Sequence, residues 1–253
     1  MRFPALLALL AGAAPLGFAA GFLEGKAVEQ SVRHPGPIRR VVVEARYLDV
    51  DVDGIAADGI AARAVVSSKF LERNGFELQI AVDEGRASVG FALNDRPVSG
   101  YSVLWGPRLT LAVPDAAEVY VRTTTGDVLV TGLGTTSRRA AVHVESVGGM
   151  VVVTDSSADV RLVSGAGDLV IRRVAGDVHI ASETGDITVT DSRGDVRAHA
   201  GTGRQRFADV DGSIAVSSRE GMTLSGNVGE VRVGAPGVPS LPDWGAQTPW
   251  RRR

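Results

Sequence analysis

The stretch GDLVIRRVA (residues 167–175), GDVHIASET (176–184), GDITVTDSR (185–193) and GDVRAHAGT (194–202) decides the fold. Units of nine residues follow one another without a gap, each opening on Gly-Asp. The second and fourth residues after the Gly are apolar, as in Leu169 and Ile171, Val178 and Ile180, and Ile187 and Val189, while the third varies. Such alternation turns the apolar pair to one face of a strand and the residue between them to the other. About five residues make the strand and about four remain for a corner, where Gly tolerates awkward dihedrals and Asp bonds nearby backbone N–H groups.

Outward from this stretch the phase continues through Gly149, Ala158, Gly203, Gly212 and Gly221, with Gly229 one residue early. Ala140 keeps the phase, Gly126 precedes it by fourteen residues, and Thr135 to Arg139 therefore reads as an inserted loop. A short, regular repeat predicts stacked units, none able to bury its apolar face alone. The corners show how many units make a coil. Six residues after the Gly position, Ser146, Ser164, Ser182, Ala200 and Ser218 alternate with Asp155, Arg173, Asp191, Asp209 and Asn227, so the true period is eighteen. Two strands per coil predict an all-β, two-sheet β-solenoid, like a parallel β-helix, over residues 126–233. At about 4.8 Å per coil, its six coils would rise roughly 29 Å. Ala198 is small where its neighbours are large, and Phe207, half a coil on, is large; the two are expected to compensate across the core. Polar residues at the inward positions Gln205, Thr223 and Ser225 mark the last coils as the least stable, or as a cap.

Residues 35–125 form a strand-rich N-terminal region, with Leu48, Val50 and Val52 alternating with Asp49, Asp51 and Asp53, and with Leu109, Leu111 and Val113 later. Turn signals stand at Asn74-Gly75, Asp83-Glu84-Gly85 and Asn94-Asp95-Arg96-Pro97, and the only helical hint is a short turn near Ser67 to Arg73. Residues 1–20 read as an export signal with Gly17-Phe18-Ala19 as the cleavage site. The alternative is a retained membrane anchor, because Phe3 to Leu23 carries no charge. Residues 234–253, rich in Pro and Gly and without alternation, read as a disordered tail.

The chain of 253 residues contains no cysteine, which excludes disulfides, thiolate metal sites and cysteine nucleophiles. Its net charge of −2 argues against nucleic acid as a partner. No G-x-S-x-G elbow, H-E-x-x-H, P-loop or dinucleotide fingerprint occurs, and the carboxylates recur with the repeat rather than as one acid and base pair. No catalytic or cofactor-binding residue is expected; a polysaccharide-acting enzyme of the β-solenoid kind is the alternative. Calcium is the other alternative, and two patterns bear on it. Asp49-Val-Asp51-Val-Asp53-Gly54 opens like a helix-loop-helix calcium loop, but Ile60 stands where a bidentate Glu is needed. Gly165-Ala-Gly-Asp168 matches only part of the Gly-rich repeat that builds calcium cages. No metal ligand is assigned.

The eighteen-residue phase sorts outward residues into rows. His143, Arg161, His179 and Arg197 share one row, a candidate binding strip for an anionic glycan or phosphate. Asp159, Asp177 and Asp195 face the same way two residues earlier, so ion pairing within the sheet is the plainer explanation of the row. On the opposite sheet Leu129, Val152, Val170, Thr188, Arg206 and Leu224 form a less polar row beside Thr131, Thr154, Arg172 and Thr190, as if covered by the N-terminal region or a partner.

Leu109-Thr-Leu-Ala-Val-Pro114, Val119-Tyr-Val-Arg-Thr-Thr-Thr-Gly-Asp-Val-Leu-Val-Thr-Gly132 and the serial Gly-Asp units resemble the bacterial β-strand-repeat family of unknown function labelled "putative adhesin". They are similar also to the head domain of autotransporter adhesins of that label. The resemblance covers about Val41 to Val233, with departures at Gly203-Arg-Gln-Arg and Gly221-Met-Thr. It implies the repeat architecture and carries no functional residues. The expectation is a non-catalytic exported protein of the periplasm, envelope or extracellular space, an adhesin-like scaffold without cofactor. Its partners would be an envelope or surface glycan or protein, with membrane contact only if the N-terminal segment is retained.

Because the Gly-rich cage and the twelfth-position Glu are missing, chelator should leave the melting temperature unchanged. A rise of several degrees on adding millimolar calcium would establish the cage instead.

Overall fold

In a computed structural model, residues 27–67, 77–92, 107–135 and 140–234 are described. The export segment, the tail beyond Gly234, the turn near Ser67 to Arg73, Asn74-Gly75, Asn94 to Pro97 and most of the inserted loop lie outside them. The described residues are all-β, in two ten-stranded sheets that do not close. With strands numbered in chain order, the first sheet holds β1 (Ala27–His34), β3 (Asp49–Ile55), β4 (Ile60–Ser67), β7 (Arg108–Pro114) and β9 (Val128–Thr131). It continues with β11 (Val151–Ser156), β13 (Leu169–Val174), β15 (Ile187–Arg193), β17 (Gln205–Asp211) and β19 (Met222–Ser225). The second holds β2 (Arg40–Ala45), β5 (Glu77–Asp83), β6 (Arg86–Ala92), β8 (Glu118–Thr123) and β10 (Ala141–Ser146). β12 (Asp159–Ala166), β14 (Val178–Thr184), β16 (Val196–Thr202), β18 (Ile214–Ser218) and β20 (Val231–Gly234) complete it.

From β8 onward consecutive strands alternate between sheets, and each pairs in parallel with the next strand of its own sheet. From β10 to β16 that partner lies eighteen residues on, as in Val160↔Val178, Val178↔Val196, Leu169↔Ile187 and Ile187↔Gln205. The apolar pairs from Val128 and Val130 to Ile214 and Val216 are buried, Val178, Ile187 and Val189 completely. Ala198 and Phe207 are both buried, and Gln205 is buried in an inward row with its Nε2 donating to the Ser217 carbonyl at 3.2 Å.

Two different corners explain why the period is eighteen rather than nine. After the second-sheet strands, alternation continues one step further, so Ser146, Ser164 and Ser182 point inward and are buried. Each hydroxyl donates to the carbonyl two residues on, Gly148, Ala166 and Thr184, at 2.7–3.0 Å. After the first-sheet strands, Asp155, Arg173, Asp191 and Asp209 adopt φ of 51–54°. That left-handed step turns the sixth residue outward and returns the seventh to the core, where Ser156, Val174, Ser192 and Val210 are buried.

The Gly-Asp pair serves the stack in two ways. At Gly185 and Gly194, with φ of +119° and +118°, an added Cβ would strike the carbonyl of the Gly one coil below, Gly167 and Gly176 respectively. The Asp that follows does more than bond its own corner. In one corner the Asp159, Asp177 and Asp195 Oδ1 atoms accept the backbone N–H of Asp177, Asp195 and Ser213 at 3.0–3.1 Å. In the other, Asp127, Asp168 and Asp186 accept from Met150, Asp186 and Arg204 at 2.7–3.0 Å. Each carboxylate thus satisfies a strand-entry donor of the following coil.

The N-terminal region does not lie over a face of the repeats but extends both sheets edgewise. β2 and β3 pair in parallel with β8 and β9 at an offset of 78 residues, Val41↔Val119 and Val50↔Val128. The intervening chain builds the far end: β6 and β7 add parallel strands beyond β2 and β3, and antiparallel β5 and the β4–β1 pair finish it. Glu84 and Gly85, with φ of 47° and 79°, make the expected tight turn between β5 and β6. One apolar cluster runs from Ile38 to Val216 through both regions.

At the other end the expected phase needs correction. Met222 pairs with Gln205 and Leu224 with Phe207, an offset of seventeen, because the corner between Ser218 and Met222 is one residue shorter than its predecessors. A one-residue slip exchanges the faces of a strand. Hence Leu224, not Thr223 or Ser225, stands in the inward row, and Thr223, not Leu224, follows Arg206 in the outward one. Gly226 takes the left-handed position at φ 64° in place of Asn227, whose side chain instead bonds the Val210 N–H and the Phe207 carbonyl.

Burying a charge at Ile180 should abolish cooperative unfolding, whereas Thr188→Asp, on the outward face, should cost no more than about 0.5 kcal/mol. Thermal melts of the two variants check the inward and outward assignment. For the carboxylate ladder, Asp177→Ala should lose about 1 kcal/mol and Asp177→Asn, which keeps an acceptor, should lose less in denaturant titrations.

Candidate functional site

The outward face of the second sheet is three residues wide on each strand. Its central row follows directly from the parallel register: Tyr120↔His143, His143↔Arg161, Arg161↔His179, His179↔Arg197. All four expected strip residues are therefore brought together, one strand spacing apart. The row also gains Tyr120, which the repeat phase, begun at Gly126, did not reach, and the Arg40 side chain, which leans in from beside Glu118 in the flanking row. Tyr120 lies flat on His143, with ring centroids 4.5 Å apart and planes 4° from parallel. Arg40 from β2 sits over the other side of Tyr120, 5.3 Å from the ring centre, and is held there by Glu118 through bonds of 2.6 and 2.9 Å. The signal was present in Glu118-Val-Tyr-Val-Arg122, which alternates like Ala141-Val-His-Val-Glu145.

The neighbouring rows differ in character. On one side Asp159, Asp177 and Asp195 are engaged with backbone N–H groups of the following coil, a different role from the ion pairing expected. Among the described residues no ion pair joins them to His179 or Arg197. On the other side, Arg122 and Glu145 approach to 3.9 Å, followed by Val163, Ala181 and then His199, whose Nδ1 lies 2.6 Å from the Ser217 hydroxyl.

Electrostatics along the row follow from this packing. Burial, then the adjacent Arg161, lowers the pKa of His143; burial, then Arg197, lowers that of His179. Both imidazoles are accordingly neutral at neutral pH, and burial raises the Tyr120 phenol from its ordinary value, so it too is uncharged. Permanent positive charge in the row comes from Arg161 and Arg197 on alternate coils.

On the first sheet the outward row runs Leu129, Val152, Val170, Thr188 and Arg206, with Thr131, Thr154, Arg172 and Thr190 beside it. Leu129 is 36% exposed. The strand course leaves these residues uncovered by the N-terminal strands, which lie at the sheet's edge. The Asp49-Asp51-Asp53 triplet lies on β3, each carboxylate with its own neighbour. Asp49 accepts the Asp127 N–H at 3.1 Å, Asp51 approaches Arg108 at 3.6 Å, and Asp53 accepts the Thr131 hydroxyl at 2.7 Å. Arg173 reaches back one coil to grip Asp155 with bonds of 2.6 and 2.8 Å, which lowers that carboxyl to about 2.

No protein-family profile matches the chain, and no curated protein sequence matches it. Among solved structures it is similar to a "putative adhesin" from Bacteroides fragilis, with 15% identity, 83% of this chain and 97% of that one covered, and a TM-score of 0.42. A "putative cell adhesion protein" from Clostridium sporogenes covers 83% of this chain and is itself fully covered, at 8% identity and a TM-score of 0.35. A "putative lipid binding protein" from Parabacteroides distasonis matches at 9% identity, with 82% of this chain and 96% of that one covered and a TM-score of 0.40.

Proposed function

We propose that this chain is an exported, non-catalytic envelope protein with an adhesin-like role, built as a two-sheet β-solenoid that presents its second sheet as a binding surface. The observation that carries this reading is the in-register row Tyr120, His143, Arg161, His179 and Arg197 on one parallel sheet. Parallel stacking places chemically similar side chains at one strand spacing, so a surface complementary to an extended partner arises without a cavity. The eighteen-residue registers of both sheets support the solenoid, and the apolar, small-residue-terminated segment 1–20 supports export. On this reading the strand region 35–125 supplies the first coils and the closed end, and the repeats 126–233 supply the length.

Cell fractionation and binding of the purified protein to isolated envelope test the proposal. The protein should be found outside the cytoplasm, and the folded double variant Arg161→Ala, Arg197→Ala should lose most envelope retention. A cytoplasmic protein with an uncut N-terminus would refute export. Retention lost instead in Val152→Ser, Val170→Ser would move the binding surface to the first sheet.

A further inference from the structure

We infer that the His143–Arg161–His179–Arg197 row binds a linear polyanionic glycan lying across the strands, along the stack, with one anionic group on every second sugar. The inference rests on the second sheet being the binding surface and names what that surface takes. The row is one residue wide and bordered on one side by Asp159, Asp177 and Asp195, whose negative charges keep a polyanion off that side. Those carboxylates are bonded to backbone N–H groups, and His179 and Arg197 have no ion-pair partner among the described residues.

Spacing selects the ligand. Arg161 and Arg197 are two strands apart, roughly 9.5 Å, close to the length of two linked pyranose rings. Arg232 lies two strands beyond Arg197 and continues the rhythm, although Glu230 engages it at 2.8 Å. The intervening histidines determine how the row changes with acidity. His143 faces Glu118, Tyr120 and Arg122 on β8, Asp159 and Arg161 on β12, and Glu145 on its own strand, with Arg40 beyond Tyr120. His179 faces Asp159 and Arg161 on β12, Arg197 and His199 on β16 with Asp195 just before it, and Asp177 beside its own strand. Desolvation and the neighbouring arginines keep both neutral at neutral pH. Protonation at acid pH places a charge on every coil rather than every second coil. An anion beside an imidazole favours its charged form, so affinity rises as pH falls.

The test uses two probes of matched length, hyaluronan with one carboxylate per disaccharide and polygalacturonate with one per sugar. They are titrated calorimetrically into the purified protein at pH 7.5 and pH 5.5. At pH 7.5 hyaluronan should bind at least tenfold tighter; at pH 5.5 both should bind more tightly and the gap should narrow, and His179→Gln should abolish the narrowing. Arg161→Ala with Arg197→Ala should weaken hyaluronan at least tenfold. Arg172→Ala with Arg206→Ala removes the same charge from the other sheet and should leave binding unchanged. No binding, equal affinity for the two polymers at pH 7.5, or equal weakening by both double variants would overturn the inference. Envelope retention without polyanion binding refutes this ligand alone, and glycan binding by a cytoplasmic protein refutes the envelope assignment alone.

Discussion

Parallel hydrogen bonding at a fixed offset is the constraint on which the rest depends. A parallel ladder joins each strand to the equivalent strand of the next coil, so the residue at any position is bounded above and below by its counterparts. Every column must then solve one problem repeatedly. At the corners the problem is room, and Gly stacks over Gly because a Cβ would meet the carbonyl beneath. At the strand entrances it is an unpaired N–H, and the Asp of the preceding coil accepts it. In the core it is volume, filled by Val, Ile and Leu columns, with Ala198 buried in one sheet and Phe207 in the other.

The same constraint makes the two ends unequal. A stack of parallel strands has an open edge at each end, which leaves backbone groups unpaired and inward side chains half covered. At the β2–β3 end the intervening chain adds further parallel strands and then antiparallel ones, where Ile60, Ala64 and Val66 are fully or almost fully buried. At the β19–β20 end Leu224, Val231 and Val233 occupy inward rows yet are 37, 37 and 63% exposed. Stability should therefore decline along the chain toward Gly234, by loss of burial rather than by polar substitution.

Outward rows are a by-product of the same stacking, and here chemistry is less constrained than in the core. The second sheet collects an arginine-capped aromatic pair and alternating histidine and arginine; the first collects valine and threonine. Neighbours in a row sit at strand spacing, so like charges there raise one another's cost; burial first, and then the adjacent arginine, lowers the pKa of both histidines.

Sequence alone determined the repeat strands, the inward pairs from Val142 to Val216, the eighteen-residue phase and the outward row of His143, Arg161, His179 and Arg197. Each depends on local alternation and on a period repeated without interruption. Three things needed the tertiary structure. Tyr120 pairs with His143 at an offset of 23 residues, and Arg40 reaches the row from a strand offset by 78 from β8; no regular period reveals either. The Asp carboxylates bond a coil eighteen residues away, whereas residue type suggests only a local turn bond or a neighbouring cation. The position of the missing residue, before Met222 rather than before Gly229, reversed the faces of β19. Only pairing partners locate a deletion within a corner, because a corner has no alternation to betray the slip.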